Sequence, residues 1–169
     1  MLYAGTSGGV YKSVNQGAYW QQVNHGLVPE GMVKTSRALS VTSVQVDPFT
    51  TETVYAATLA GLYKTTDGAA SWVRIGESLQ DQMIVSMVLD RARLGVMYVA
   101  ARDGIHRSDD GGKSWVALNE GLATTNIRSL AQSALDPQLF YAGTNGSGLY
   151  RSTDGGAHWE ALPSVFPKE

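Results

Sequence analysis

One phrase of this sequence comes back four times. Leu2-Tyr3-Ala4-Gly5-Thr6 returns as Val54-Tyr55-Ala56-Ala57-Thr58, as Met97-Tyr98-Val99-Ala100-Ala101 and as Phe140-Tyr141-Ala142-Gly143-Thr144. A glycine turn follows each copy, and then an apolar residue, a ring and a cation: Val10-Tyr11-Lys12, Leu62-Tyr63-Lys64, Ile105-His106-Arg107 and Leu149-Tyr150-Arg151. A polar turn then leads to Trp20, Trp72, Trp115 or Trp159, spaced 52, 43 and 44 residues apart. A repeat of this length is one supersecondary unit that cannot bury its apolar faces alone, so the copies must stack on one another.

A period in the low forties, with short strands and glycine turns, predicts a β-propeller blade of four strands. The first strand of each unit is an apolar run, Val41 to Val46, Ile84 to Leu89 and Ile127 to Leu135. These runs are apolar on both faces, as a strand sandwiched between neighbouring blades requires. Asp47-Pro48 and Asp136-Pro137 are turn formers, because proline presets φ and aspartate bonds nearby backbone. Asp90 keeps this place without the proline. A helical solenoid would need apolar residues at i, i+3 and i+4, and that pattern is absent. The expected fold is all-β: three full blades and one incomplete N-terminal blade, forming a half-propeller or part of a larger ring. The expected repeats are 2–40, 41–83, 84–126 and 127–163 of a single unit spanning 1–169.

The polar turn reads Ser/Thr-x-Asp-x-Gly-x-x-Trp. Its members are Ser13, Asn15 and Trp20; Thr65, Asp67 and Trp72; Ser108, Asp110 and Trp115; and Ser152, Asp154 and Trp159. A short side-chain oxygen there accepts from backbone N–H groups that the hairpin leaves unpaired. The tryptophan supplies buried area, so Trp72, Trp115 and Trp159 are expected to be mostly buried anchors. Asn15 replaces the aspartate in the first copy, and Ala69 replaces the second glycine in the second copy.

This pattern resembles the Asp-box, or BNR, repeat over about Leu2 to Pro163. The longer phrase is most similar to xyloglucanase-type glycoside hydrolase propellers and to those of the photosystem II assembly factor type. Sortilin-type and sialidase propellers are more distant. The resemblance implies that the Asp boxes lie on the rim away from the ligand face, so they support the fold and say little about function. It also implies an extracytoplasmic location, although no signal peptide is visible at Met1-Leu2-Tyr3-Ala4-Gly5.

The remaining residues limit the chemistry. With no cysteine, disulfides, thiolate metal sites and a cysteine nucleophile are excluded. The net charge of −2 and scattered Lys and Arg give no nucleic-acid footprint. No apolar run reaches the roughly 18 residues of a membrane span. No cofactor or metal is expected. Asp67, Asp110 and Asp154 could suggest calcium, but each turn offers too few carboxylates for a six-oxygen shell. Gly5-Thr6-Ser7-Gly8-Gly9 matches a nucleophile-elbow pattern, which needs a strand-to-helix turn rather than the hairpin expected here. Gly143 to Gly148 lacks the Lys-Ser/Thr and the helix of a phosphate loop. His25, His106 and His158 stand at no metal-ligand spacing. The basic column Lys12, Lys64, Arg107 and Arg151 could ring an anion, but its presence in every unit favours structural packing of the stems.

Candidate ligand contacts fall on the loops opposite the polar turns: Arg102, Asp103 and Asn145, with Gln80-Asp81-Gln82 and Thr124-Thr125-Asn126 in the links. The longest link, from Trp20 to Asp47, spans 27 positions against 18 and 21 in the next two, and its extra material holds Glu30, Lys34 and Arg37. Repeat scaffolds place such insertions on the binding face, or simply tolerate them at the surface.

Two functions are open. One is a non-catalytic scaffold that binds a protein or glycan. The other is a fragment of a xyloglucanase-like glycoside hydrolase, which would need two carboxylates flanking the sugar. A sialidase would need an arginine cluster and a tyrosine nucleophile, and no such pattern is recognisable. The reading leans toward binding. Four blades are fewer than the about six to eight expected of the resembling rings. Self-association, a partner chain or the rest of a longer chain is therefore expected to complete the ring.

Overall fold

The structure is a computed structural model, and it describes residues 1–28, 39–79 and 82–163. The strands are β1 (Leu2–Thr6), β2 (Gly9–Ser13), β3 (Gln21–Gln22), β4 (Val41–Val46), β5 (Val54–Thr58), β6 (Gly61–Thr65), β7 (Val73–Ile75), β8 (Ser86–Leu89), β9 (Met97–Ala101), β10 (Gly104–Ser108), β11 (Val116–Ala117), β12 (Ile127–Gln132), β13 (Phe140–Thr144), β14 (Leu149–Ser152) and β15 (Glu160–Ala161). They form four antiparallel meanders: β1-β2-β3, β4-β5-β6-β7, β8-β9-β10-β11 and β12-β13-β14-β15. Sheet one therefore has three strands, and sheets two to four have four each.

The turn chemistry accounts for the meanders. In the second and third sheets the hairpin between the middle strands is closed by two residues and then a glycine at positive φ, Gly61 at 139° and Gly104 at 125°, which a side chain rarely adopts. After the first strand of a sheet, an aspartate caps the turn. Asp47 accepts from the N–H groups of Phe49 and Thr50, Asp90 from those of Ala92 and Arg93, and Asp136 from that of Gln138. The aspartate makes the turn, so Arg91 can stand where the other two units have proline.

Two expectations about the first strands need correction. The fourth-sheet strand ends at Gln132, not Leu135. Ser133 starts the turn by accepting from the N–H groups of Leu135 and Asp136, which leaves Leu135 exposed. Nor are the first strands buried on both faces. The fully buried strands are β5 and β9, whereas β8 and β12 mix buried and open positions and β4 holds only partly buried and exposed ones. The first strands border an open cavity of about 430 Å³ between them, so part of each strand faces solvent.

The core consists of three junctions between sheets rather than one centre. Val10 and Leu27 of the first unit pack with Val54, Tyr63 and Trp72 of the second. Tyr55 and Leu62 of the second pack with Met87, Met97 and Val99 of the third. Tyr98 and Ile105 of the third pack with Phe140, Tyr150 and Trp159 of the fourth, with the Tyr98 and Phe140 rings 4.4 Å apart. The second and third sheets thus each have a leading face against the preceding sheet and a trailing face against the next.

The first and third junctions share a backbone dock. The Trp72 N–H donates to His25 O at 2.8 Å and its indole N–H to Val23 O at 2.7 Å. The Trp159 N–H donates to Glu120 O at 2.9 Å and its indole to Leu118 O at 3.0 Å. Gly26 and Gly121 make this approach possible, because a Cβ at either would fall on the tryptophan's backbone carbonyl. The second junction lacks it. Ser78 stands where the other units have glycine, in a 3₁₀ turn at Glu77–Leu79, and the Trp115 indole turns back to Gly112 O at 3.1 Å. Trp72 and Trp159 are buried as expected, but Trp115 is only half-buried.

The two kinds of tryptophan should respond differently to truncation. Trp159→Ala should cost roughly 3–5 kcal/mol and Trp115→Ala about half as much, because less area leaves water there. Urea unfolding of both variants measures the difference, and equal losses would contradict the two-junction distinction.

Candidate functional site

The two ends of the sheets carry different chemistry. At one end lie the polar turns and the aspartate-capped turns, tied by backbone bonds from Gly68 N–H to Glu52 O, Gly111 N–H to Gly95 O and Gly155 N–H to Gln138 O, each 2.9 Å. By strand alternation the opposite end holds the hairpins around Ser7, Ala60, Arg102 and Gly146 and the links between sheets.

At the polar-turn end the side chains satisfy one another locally. The Thr65 hydroxyl donates to Asp67 Oδ1 at 2.6 Å and accepts from the Ala69 N–H at 3.1 Å. Asp67 also accepts from the Ser71 N–H and hydroxyl at 3.0 and 2.6 Å. Ser108 and Asp110 repeat this with Gly112 and Ser114. Ser152 and Asp154 repeat it with Gly156 and the His158 N–H. In the first copy Asn15 supplies a carbonyl oxygen for the same bonds, from the Ser13 hydroxyl at 3.0 Å and the Tyr19 N–H at 2.9 Å. The glycine positions tolerate replacement, since Gln16 and Ala69 take φ of 60° and 72°. Trp20, at the end of that first turn, is the most exposed of the four tryptophans.

These bonds shift the carboxyls. The Ser71 and Thr65 hydroxyls hold Asp67 well below the usual carboxylate range, and the Ser114 hydroxyl and N–H do the same for Asp110. Asp154 is lowered to about 2, chiefly by the His158 N–H. His158 is raised by Asp154, 2.8 Å from its Nδ1, and by Glu120, 3.3 Å from its Nε2. Among the described residues no group of three His, Asp or Glu side chains is placed to hold a metal.

The basic column does not converge on a common point. Lys12, Lys64 and Arg107 each lie over the tyrosine paired with them on the adjacent strand, 5.7, 5.3 and 5.8 Å from the ring centres of Tyr3, Tyr55 and Tyr98. Lys12 also donates across the junction to Gly68 O at 2.7 Å. Ser7 sits in a plain hairpin whose turn is held by the Thr6 hydroxyl.

At the loop end, Glu30, Lys34, Arg37, Gln80 and Asp81 lie outside the described residues. Arg102, Asp103 and Asn145 are exposed. Asp103 is 2.8 Å from the His106 ring, and the Asn145 N–H donates to Asn126 O at 2.9 Å. Arg102 borders a cavity of about 300 Å³ between the third and fourth sheets, over the buried Ala101 and Ile127, with Asn126 and Arg128 on its rim. The lining residues include two arginines and no Asp or Glu. Asp103 and Asn145 neighbour this cavity but do not line it.

Reading the sequence missed Arg128, which lies on a first strand and becomes a neighbour of Arg102 only when two sheets stack. It also missed Asn24 and Asn119. Asn24 accepts from the Val10 N–H and Asn119 from the Ile105 N–H, both at 2.8 Å, and their amides donate back to Gly8 O and Asp103 O. These clips hold the loop-end hairpins of sheets one and three. Their signal is Trp-x-x-x-Asn-x-Gly-Leu, present after Trp20 and Trp115 and absent after Trp72.

Several solved structures share this arrangement. An ancestral GH74 enzyme is 25% identical with a TM-score of 0.78, over 97% of this chain and 22% of that one. The GH74 xyloglucanase from Xanthomonas campestris is 18% identical with a TM-score of 0.75, over 98% and 29%. YCF48 bound to D1 peptide is 21% identical with a TM-score of 0.56, over 72% and 39%. The chain thus spans between about a fifth and two fifths of each of these chains. No protein-family model and no curated protein matches it. The four sheets are blades of a β-propeller, and the chain is an arc of one.

The polar turns should make the blades acid-sensitive. A carboxyl whose folded pKa is depressed stabilises the fold above its unfolded value, and that contribution is lost as pH falls through the folded value. With Asp154 lowered from 3.8 to about 2, and Asp67 and Asp110 lowered as well, the loss begins near pH 4 and continues to about pH 2 and below. Urea midpoints measured from pH 6 to pH 2 should fall in that window. The decline should flatten when all three aspartates are changed to asparagine, the residue that already serves at position 15.

Proposed function

We propose that this chain is a run of Asp-box (BNR) repeats forming a non-catalytic binding scaffold, which captures a carboxylate-bearing protein or glycan at its loop end. The observation that carries this reading is the cavity between the third and fourth blades, where Arg102 and Arg128 border a partly apolar floor. Guanidinium groups bind carboxylates through paired, charge-assisted hydrogen bonds, and an apolar floor adds contact with a sugar face or side chain. Neither arginine has a hydrogen-bonding or ionic partner among the described residues. Arg102, Asp103 and Asn145, with Glu30, Lys34 and Arg37 in the long link, are the proposed ligand-face residues. Ser13, Asn15, Trp20 and their counterparts in the other three turns are proposed as structural. The open flanks of the arc are proposed to be covered by another copy or by a partner chain that completes the ring.

The likeness to GH74 propellers favours one second reading, a fragment of a glycoside hydrolase. Such chemistry needs an acid and a base on opposite sides of a glycosidic bond. Asp103 is the one carboxylate in the described hairpins at the loop end, and it is engaged with His106. The missing partner would have to come from elsewhere.

Calorimetric titration distinguishes the two readings. An oligogalacturonate and an acidic peptide serve as carboxylate ligands, with a neutral xyloglucan oligosaccharide for comparison. At least one carboxylate ligand should bind and the neutral sugar should not. Arg102→Ala and Arg128→Ala should each weaken binding about tenfold, and added salt should weaken it too. Release of reducing sugar from xyloglucan would instead favour the hydrolase reading.

A further inference from the structure

We infer that Asn145 is a site of spontaneous deamidation, at which the Gly146 backbone nitrogen turns a neutral side chain beside the cavity of Arg102 and Arg128 into a carboxylate.

One hairpin sets the fourth blade apart. In the first two blades a threonine hydroxyl holds a turn of two residues. Thr6 accepts from the Gly8 N–H and donates to Gly9 O, and Thr58 accepts from the Ala60 N–H and donates to Gly61 O. Thr144 spans three residues instead, accepting from the Ser147 N–H at 3.0 Å and donating to Gly148 O at 2.8 Å. Its hydroxyl serves the N–H three residues ahead rather than two, so the Gly146 N–H is passed over. Among the described residues neither that N–H nor the Asn145 side chain has a hydrogen-bond partner. Both residues are exposed, and nothing lies within 4 Å of where a Cβ on Gly146 would stand.

A backbone nitrogen one residue after a side-chain amide can close a five-membered ring on it. The Gly146 nitrogen gives its proton to a solvent base and bonds to Asn145 Cγ. The Cγ–Nδ2 bond breaks, and Nδ2 takes a proton from solvent and leaves as ammonia. Water then opens the imide. Cleavage at Cγ leaves aspartate, and cleavage at the main-chain carbonyl leaves isoaspartate, with the chain running through the former side chain. Water is the one reagent consumed. Glycine favours the attack because no Cβ crowds its nitrogen.

The other asparagines lack this setting. Asn145-Gly146 is the sole asparagine–glycine step in the sequence. The Asn15, Asn24 and Asn119 side chains are held by bonds to backbone groups, and Asn126 precedes the β-branched Ile127. Asn145 is also tied to the cavity, since its backbone N–H donates at 2.9 Å to the carbonyl of Asn126 on the rim. A carboxylate at 145 therefore opposes a carboxylate ligand there. That consequence rests on the reading of Arg102 and Arg128 as anion-binding; the modification itself does not.

The test holds the purified chain and a synthetic peptide of residues 129–151 in mildly alkaline buffer and follows both by mass spectrometry. Trypsin releases the same segment from the chain, and Asn145 is its single asparagine. The native chain should lose the amide at a rate comparable to the peptide, with NH2 replaced by OH at residue 145 in the fragment ions and isoaspartate among the products. Gly146→Ala should abolish the change over the same period. Circular dichroism checks that this variant folds. Asn145→Gln, which cannot close a five-membered ring, should keep its mass as well. A native chain that keeps its amide while the peptide loses it would overturn the inference, and so would a change located at another residue. Asn145→Asp should bind the oligogalacturonate or acidic peptide roughly two- to fivefold more weakly than fresh wild type, as for one exposed charge. Equal binding would overturn the coupling to the cavity. Fresh wild type that binds neither would sink the arginine reading, while the mass change still decides the modification.

Discussion

Everything in this molecule depends on sheets stacking face to face. A single four-stranded blade has two apolar faces and cannot bury either alone. The buried residues of each cluster accordingly come from two neighbouring units. Within that stacking, two junctions bring backbones together: the tryptophan that ends one polar turn meets a glycine six residues beyond the tryptophan of the preceding unit. The dock works where that residue is Gly26 or Gly121 and is missing where it is Ser78. One Cβ therefore separates two kinds of junction in a single chain.

The polar turns explain how repeats with degraded signatures still fold alike. What the turn needs is an oxygen that accepts N–H groups three or four residues ahead, and a hydroxyl that accepts from the amide four residues ahead of it. Asn15 provides that oxygen as well as Asp67 or Asp110 does. Left-handed φ costs a side chain roughly 1–2 kcal/mol, yet Gln16 and Ala69 adopt it because the surrounding bonds leave the turn no other course. The motif is a geometric device, and its variants are readable once the bonds are known.

The two ends of the strands carry different chemistry. Carboxylates and hydroxyls at one end are consumed by the backbone. At the other end, the Asn24 and Asn119 side chains clip the hairpins of sheets one and three. Binding groups on such hairpins are positioned by a rigid scaffold, which suits them to recognition rather than to support. The cavity between the third and fourth blades lies at this end, lined by the buried Ala101 and Ile127 and by Arg102 and Arg128.

The sequence by itself determined the all-β meander, the four units and the turns, because these follow from residues a few positions apart. Asp47, Asp90 and Asp136 cap their own turns, and Ser108 and Asp110 bond within six residues. It also placed Arg102, Asp103 and Asn145 at one end of the blades, since strand direction alternates. Only the tertiary structure decided what lies between units. It brought Arg128 of one blade beside Arg102 of another, left Trp115 half-buried, and opened the first strands to a shared cavity. Those outcomes depend on the distance and angle at which two sheets meet. That geometry is set by the sum of many side-chain volumes, which no local pattern in the chain encodes.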